Sequence, residues 1–195
     1  MKEYIFLGDS ITDCDHIYTE DGLGEGYVKN IAQALATSSH CLNLGYDGFT
    51  ISALNRMWNM RGASLNPSCI SILIGINDIA VVKNTGLNPD SALESFKSNY
   101  EILIENIRQR FDCPIILMET FIFSRPAEYI TWIPMVERLN ELIKEIACKY
   151  NLYFLPLWSS LTDSSLSTDG IHLTEKGQRI LADLWLHFSK NENLI

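Results

Sequence analysis

The sequence predicts an α/β domain in which helices cover both faces of a five-stranded parallel sheet. Five short apolar runs occur along the chain, and each is followed by a segment whose apolar residues recur at helical spacing. Regular alternation of the two patterns is typical of parallel sheets. The chain has 195 residues, of which 47% are hydrophobic, and neither a repeat nor a linker interrupts it. We therefore expect residues 1–195 to form a single domain with a substantial core.

The apolar runs have the character of strands that are buried on both faces. They are nearly continuous in apolar residues and only a few residues long, which favours strands over helices. Glycine or polar residues follow the first three of them. The predicted strands are Tyr4–Leu7, Cys41–Leu44, Cys69–Ile74, Pro114–Met118 and Leu152–Leu155.

The segments between the runs carry helix start signals. Thr50 can cap the second predicted helix and Thr174 the last, while Asn88-Pro89 supplies a cap and a first-turn proline to the longest. Each helix also has an apolar stripe at helical spacing. The stripes are Val28, Ile31, Ala32 and Leu35; Ile51, Leu54, Met57 and Trp58; Leu93, Phe96, Tyr100, Leu103 and Ile107; Val136, Leu139, Ile143, Ile146 and Tyr150; and Ile180, Leu181, Leu184, Trp185 and Phe188.

Charge and cysteine usage narrow the range of partners and compartments. The formal net charge is −9, which argues against non-specific binding to nucleic acid or to an anionic membrane. The first 20 residues lack a basic segment followed by a long apolar run, and no stretch is long enough to span a membrane. The five cysteines are scattered, which is typical of reduced thiols. We therefore expect a cytoplasmic protein without a membrane span.

Small or polar residues follow the strands at the edge where ligands bind in this class of fold. Ser10, Gly45 and Asn77 come at or just after the ends of the first three strands. Parallel strands end at one edge of the sheet, so these residues can share a crevice. Asp169 and His172 lie in the loop that leaves the fifth strand at the same edge, and a turn would bring their side chains together.

These residue types suit acyl transfer. A serine hydroxyl becomes nucleophilic when a histidine takes its proton, and a carboxylate can hold the imidazole in the correct tautomer. Attack on an acyl carbon places negative charge on oxygen, which preorganised donors must stabilise. The backbone N–H groups of Ser10 and Gly45 and the side-chain amide of Asn77 are the predicted donors.

Four blocks in order resemble the GDSL-type esterases, also called SGNH hydrolases. They are Gly8-Asp9-Ser10-Ile11-Thr12, Asn43-x-Gly45-x-x-Gly48, Gly75-x-Asn77-Asp78 and Asp169-x-x-His172. The resemblance implies Ser10 as nucleophile, His172 as base and Asp169 as its orienter, with an oxyanion hole from Ser10, Gly45 and Asn77. It also implies a flavodoxin-like three-layer α/β/α sandwich with strand order 2-1-3-4-5. Thr12 departs from the serine that many members carry there.

Asp9 and Asp78 follow the first and third strands and have two interpretations. They could form a metal or phosphoacceptor pocket, as in receiver domains, but such a pocket also needs a lysine after the fifth strand. The chain has Pro156-Leu157-Trp158 there. We favour a supporting role, in which both carboxylates accept backbone hydrogen bonds around the crevice. We expect no metal and no cofactor.

The connection after the fourth strand is rich in aromatic residues, and two interpretations stay open for it. Its side chains could pack against the following helix, or they could form an apolar wall for the substrate. The residues concerned are Phe121, Phe123, Tyr129 and Trp132. Outside these groups, His16 and His40 have no carboxylate at a useful spacing, so we expect them at the surface.

The predicted function is hydrolysis of small carboxylic esters, either simple esters or lysophospholipid-like substrates. A carbohydrate O-deacetylase using the same site is the alternative within that class. From another class, a non-catalytic binding or regulatory module on a flavodoxin-like scaffold is also possible, although Ser10, Asp169 and His172 together favour the enzyme.

Overall fold

The computed structural model describes residues 1–35, 39–61 and 65–195 and contains the predicted parallel sheet. Its strands lie in the order β2-β1-β3-β4-β5, and every neighbouring pair is parallel. The predicted fold class and strand order are therefore confirmed. The strands are β1 (Lys2–Gly8), β2 (Ser39–Gly45), β3 (Cys69–Leu73), β4 (Ile115–Met118) and β5 (Tyr153–Leu155).

Helices pack against the sheet in two groups. In one group α2 contacts α7, and in the other α5 contacts both α3 and α6. Two of the predicted caps are present, since Asn88 accepts from the Ser91 N–H at 3.0 Å and Thr174 from the Gly177 N–H at 3.2 Å. The third, Thr50, makes only a long contact of 3.4 Å with the Ala53 N–H. The helices are α1 (Ser10–Asp13), α2 (Tyr27–Ala34), α3 (Ile51–Arg61), α4 (Ile76–Thr85), α5 (Pro89–Arg108), α6 (Ile133–Lys149) and α7 (Glu175–Asn191).

Helix α4 is the longest element that the sequence did not predict. It begins directly after Gly75, whose φ of 137° lets the chain turn sharply out of β3. Its buried residues Ile76, Ile79 and Val82 recur every three positions, too few to stand out as a stripe. The consequence for the site is that Asn77 lies in the first turn of a helix instead of in a loop.

The register of the central strands aligns their carboxyl ends. Gly8 is paired with Gly45 on one side and with Leu73 on the other, so β1, β2 and β3 end level with one another. Below this edge the core is apolar, and one buried polar contact fixes α7 on the sheet: Trp185 Nε1 donates to Ser71 Oγ at 2.8 Å. Within the described chain, no helix is long and apolar enough to cross a membrane.

The aromatic connection after β4 packs against the core of the protein, and its role as a substrate wall stays a prediction. Phe121 and Trp132 are buried in the core, and Phe123 and Tyr129 are partly buried against it. Tyr129 and Trp132 contact each other with ring centroids 4.6 Å apart. None of the four lines the cleft described below.

Candidate active site

Ser10 is presented by a sharp turn from β1 into α1. Asp9 caps this short helix, because its Oδ1 accepts from the Ile11 N–H at 3.0 Å. Gly8 allows β1 and β3 to approach closely at the turn, since a Cβ there would lie 2.5 Å from the Leu73 carbonyl oxygen. Ser10 is therefore fixed at the carboxyl edge of the sheet.

Three predicted side chains meet in a continuous hydrogen-bonded chain. The Ser10 Oγ lies 2.7 Å from His172 Nε2, and His172 Nδ1 lies 2.8 Å from Asp169 Oδ2. About half of each of the His172 and Asp169 side chains is exposed, so the chain of contacts is open to an incoming ligand. These distances would allow a hydroxyl to pass its proton to an imidazole that a carboxylate orients.

The second oxygen of Asp169 holds the carboxylate in place. Asp169 Oδ1 accepts from the N–H groups of Ile171 and His172, both at 2.9 Å, and from Ser167 Oγ at 2.7 Å. Partial burial alone would raise the pKa of Asp169. The hydrogen bonds from Ile171, His172 and Ser167 outweigh it and hold the pKa well below the ordinary value. Asp169 is therefore ionised at any pH at which a histidine base operates.

The loop that carries Asp169 and His172 is braced at Gly170. This glycine has a φ of 74°, in the left-handed region, and it is buried against the neighbouring loop. A Cβ at Gly170 would lie 1.7 Å from the Arg125 carbonyl oxygen. Only glycine satisfies both the backbone angle and the close contact.

We expect Gly170→Ala to lower kcat by roughly 10- to 100-fold, because moving the loop misplaces His172 relative to Ser10. Turnover of p-nitrophenyl acetate by the folded fraction measures the effect. Gly86→Ala is the matched control, because Gly86 also has a positive φ, 71°, but nothing would contact its Cβ within 4 Å. The control should lose stability and keep kcat. Equal kcat values for the two variants would show that the contact with Arg125 does not position the loop.

The predicted oxyanion donors differ in whether their N–H groups are already hydrogen-bonded within the protein. The Asn77 Nδ2 donates one N–H to the Phe49 carbonyl at 3.0 Å, which leaves its second N–H for a ligand. The Gly45 N–H instead donates to the Asn43 side-chain oxygen at 2.9 Å, and Gly45 is buried. This contact removes Gly45 from the predicted set of donors. The sequence could not reveal it, because the contact depends on the rotamer of Asn43.

Asp9 and Asp78 both accept backbone hydrogen bonds beside the site. Asp9 accepts from Ile11, and Asp78 Oδ2 accepts from the Ile51 N–H at 3.0 Å. Burial raises the pKa of each to about 7, and the nearby charge of Asp9 adds to the rise at Asp78. The charge of His172 acts in the opposite direction on Asp9. Both carboxyls are therefore easier to protonate than exposed ones.

The raised pKa of Asp9 predicts a pH-dependent stability. Its pKa is 3.8 before burial and about 7 in the fold, so the folded state binds the proton more tightly. The contribution to stability is fully present below about pH 4 and is lost as the pH rises toward 7. Asp9→Asn keeps an acceptor for Ile11 and has no charge to bury. Its thermal midpoint should therefore fall less than that of the unmodified protein between pH 5 and pH 7.5.

Differential scanning calorimetry at several pH values measures this difference. Asp183→Asn, at an exposed position on α7, is the control and should shift in parallel with the unmodified protein. Parallel curves for Asp9→Asn as well would show that Asp9 does not contribute to the pH dependence.

A cleft of about 300 Å³ opens at Ser10 and His172. Its walls carry the acidic residues Asp13, Asp15 and Asp47 together with Cys14, Leu173 and Gln178. Burial raises the pKa of Cys14 to about 12, and its thiol lies 3.3 Å from the Ile11 carbonyl. Cys14 therefore offers no thiolate nucleophile.

His16, which we expected at the surface, is buried beside the cleft. Its Nδ1 lies 2.6 Å from Asp13 Oδ1, and its ring meets the edge of Tyr46 with centroids 5.4 Å apart. Asp13 also accepts from the Asp47 N–H at 2.9 Å. The spacing of Asp13 and His16, three residues apart, was the signal that could have revealed this pair. Across residues 1–35, 39–61 and 65–195, no group of three His, Cys, Asp or Glu side chains is placed to hold a metal ion.

Comparison with known families agrees with this geometry. Residues 6–180 match the GDSL-like lipase/acylhydrolase family, a span that contains Ser10, Asn77, Asp169 and His172. The chain belongs to this family. It is therefore a carboxylic ester hydrolase of the GDSL type, and the prediction of an esterase is confirmed.

Three proteins of known name resemble the chain at low sequence identity. A solved structure from Parabacteroides merdae, described as a GDSL-like lipase, superposes with a TM-score of 0.86 at 24% identity, covering 97% of this chain and 95% of that one. An acetylxylan esterase from Geobacillus stearothermophilus is 24% identical over 95% of this chain and 92% of its own length. The human isoamyl acetate-hydrolyzing esterase 1 homolog is 26% identical over 93% and 79%.

Proposed function

We propose that this GDSL-type hydrolase cleaves carboxylic esters through an acyl-enzyme formed on Ser10. The observation that carries the proposal is the unbroken chain of hydrogen bonds from Ser10 through His172 to Asp169. In this role Ser10 is the nucleophile, His172 is the base and Asp169 is the orienting carboxylate.

The contacts support the following path for the protons. As Ser10 Oγ attacks the ester carbon, His172 Nε2 takes the hydroxyl proton, and Asp169 stabilises the resulting imidazolium. His172 then gives the proton to the departing alkoxide, which leaves as an alcohol. A water molecule repeats the sequence on the acyl-enzyme and releases the carboxylic acid. Asp169 stays ionised throughout, since its hydrogen bonds favour the charged form.

Three donors are available for the carbonyl oxygen as it becomes negative. They are the second N–H of Asn77 and the backbone N–H groups of Ser10 and Gly48. Neither backbone N–H donates to another group in the part of the chain that the structure describes. Gly48 is exposed with a φ of 69°, and the next residue, Phe49, contacts Asn77. Gly48 thus takes the place that we first assigned to Gly45.

Acetyl esters of neutral alcohols are the substrates that the cleft favours. The cleft is small, and the exposed carboxylates of Asp15 and Asp47 would repel a phosphate group. This argues for hydroxyl-rich or simple alcohols and against lysophospholipids. Two relatives are named for acetate esters, one of them of a polysaccharide. A carbohydrate O-deacetylase is therefore a strong second candidate within the same chemistry.

A substrate panel tests this assignment. It compares p-nitrophenyl acetate, butyrate and octanoate with acetylated xylooligosaccharides and with lysophosphatidylcholine. We expect kcat/KM to fall as the acyl chain lengthens and to be lowest for the lysophospholipid. Highest kcat/KM for the lysophospholipid would contradict the proposed substrate class but leave the role of Ser10 intact.

A further inference from the structure

The connection from β2 to α3, residues 46–50, begins with hydrogen bonds to the segment around Ser10. The Tyr46 N–H donates to the Gly8 carbonyl at 3.1 Å, immediately before the turn that carries Ser10. The Asp47 N–H donates to Asp13 Oδ2 at 2.9 Å. We refer to residues 46–50 as the β2–α3 turn. Its first half is therefore fixed relative to Ser10.

Its second end is held by two consecutive residues of α4. The Asn77 amide donates to the Phe49 carbonyl at 3.0 Å, and Asp78 Oδ2 accepts from the Ile51 N–H at 3.0 Å. The two bonds run in opposite directions between the same two segments. Together they clamp the end of the β2–α3 turn onto the first turn of α4.

Ile51 is the first residue of α3, so its N–H has no acceptor within its own helix. Thr50 does not replace Asp78 as the acceptor for Ile51. Its hydroxyl accepts from the Ala53 N–H instead, at a distance of 3.4 Å. The acceptor for Ile51 thus comes from a different helix, the one that also carries Asn77. The hydrogen bond from the Ile51 N–H to Asp78 therefore caps α3. It also fixes the distance between two candidate oxyanion donors, Gly48 and Asn77.

We propose that Asp78 is a positioning residue for ester hydrolysis, because its carboxylate fixes the β2–α3 turn and thereby the donors that meet the carbonyl oxygen. The proposal rests on the function proposed above, in which Gly48 and Asn77 are those donors. Within the described residues, the Asp78 side chain is hydrogen-bonded to the Ile51 N–H and to none of Ser10, Asp169 and His172. It acts through the Ile51 N–H and the backbone that precedes it.

The clamp needs an oxygen acceptor at position 78 and does not need a charge. Asparagine offers a carbonyl oxygen of nearly the same size and reach, whereas alanine offers none. Asp78→Asn should therefore preserve the position of the turn, and Asp78→Ala should release it. A misplacement of catalytic donors of about 1 Å can cost on the order of 10²-fold in rate.

The test measures kcat, KM and the thermal midpoint for Asp78→Ala and Asp78→Asn, with p-nitrophenyl acetate as the substrate. We expect Asp78→Ala to lower kcat by roughly 10- to 100-fold with little change in KM, since the donors act mainly in the transition state. Asp78→Asn should restore kcat to within about threefold of the unmodified value. Asp78→Ser replaces the alanine variant if that variant does not fold, because its short side chain cannot reach Ile51.

Asn88→Ala is the matched control, since it removes a helix cap at the start of α5. It should lower the thermal midpoint and leave kcat unchanged. If Asp78→Ala behaves in the same way, or if Asp78→Asn loses as much kcat as alanine, the positioning role is overturned. Ser10→Ala in the same series separates the two proposals. If Ser10→Ala is active, the proposed function itself is overturned. If Ser10→Ala is inactive, a negative result for the Asp78 variants overturns only the positioning role of Asp78.

Discussion

Replacing Ser10 with alanine should abolish ester hydrolysis while the protein still folds. The Ser10 hydroxyl contacts His172, and it makes no other hydrogen bond within residues 1–35, 39–61 and 65–195. The neighbouring thiol of Cys14 cannot substitute, because burial raises its pKa to about 12. Removing the nucleophile of a Ser-His-Asp site costs roughly 10⁴-fold or more in kcat, and only binding and oxyanion stabilisation remain.

Turnover of p-nitrophenyl acetate and the thermal midpoint, measured on one preparation, check this prediction. Ser160→Ala, at an exposed position far along the chain, is the control and should behave like the unmodified protein. Substantial turnover by a clean Ser10→Ala preparation would remove Ser10 as the nucleophile, whatever its distance from His172.

Replacing Asn77 with alanine should lower kcat by roughly 10²–10³, the usual loss for one oxyanion-hole donor. Asn77 has one N–H bound to Phe49, and the other is free to donate where charge develops on the substrate oxygen. That interaction is stronger in the transition state than in the ground state, so KM should change little. The alternative is that Asn77 only ties Phe49 to α4.

Measuring kcat and the thermal midpoint together separates these roles. A lowered midpoint with an unaltered kcat would mean that Asn77 is structural and would leave backbone donors alone at the site. Asn77→Asp sharpens the comparison, because it keeps the size of the side chain and removes both donated hydrogens. It should lose at least as much kcat as the alanine variant.

The position of the reacting groups could be predicted from the sequence because parallel strands align their ends. Ser10 follows β1 directly, and the pairing of Gly8 with Gly45 and Leu73 places the ends of the next two strands beside it. The contact between His172 and Asp169 follows from their spacing of three residues. These features depend on topology and periodicity, which apolar patterns determine.

Features that depend on single rotamers or on backbone geometry were not predictable. The Gly45 N–H was available in the sequence analysis but is bound to Asn43 in the structure. Helix α4 lacks a long apolar stripe, so the sequence predicts that Asn77 lies in a loop after a strand. The two interpretations of the aromatic residues after β4 depend on packing, which buries Phe121 and Trp132 and leaves Phe123 and Tyr129 partly exposed. Local hydrogen bonding and packing determine each of these features.

The most direct test of the central claim is covalent capture of the nucleophile by a fluorophosphonate. After the protein reacts with the probe, intact mass measurement and peptide mapping locate the adduct. We expect one adduct per chain, on Ser10, and a much slower reaction for His172→Ala, which lacks the base. An adduct on any other residue, or labelling of Ser10 at an unchanged rate without His172, would contradict the Ser10–His172–Asp169 mechanism.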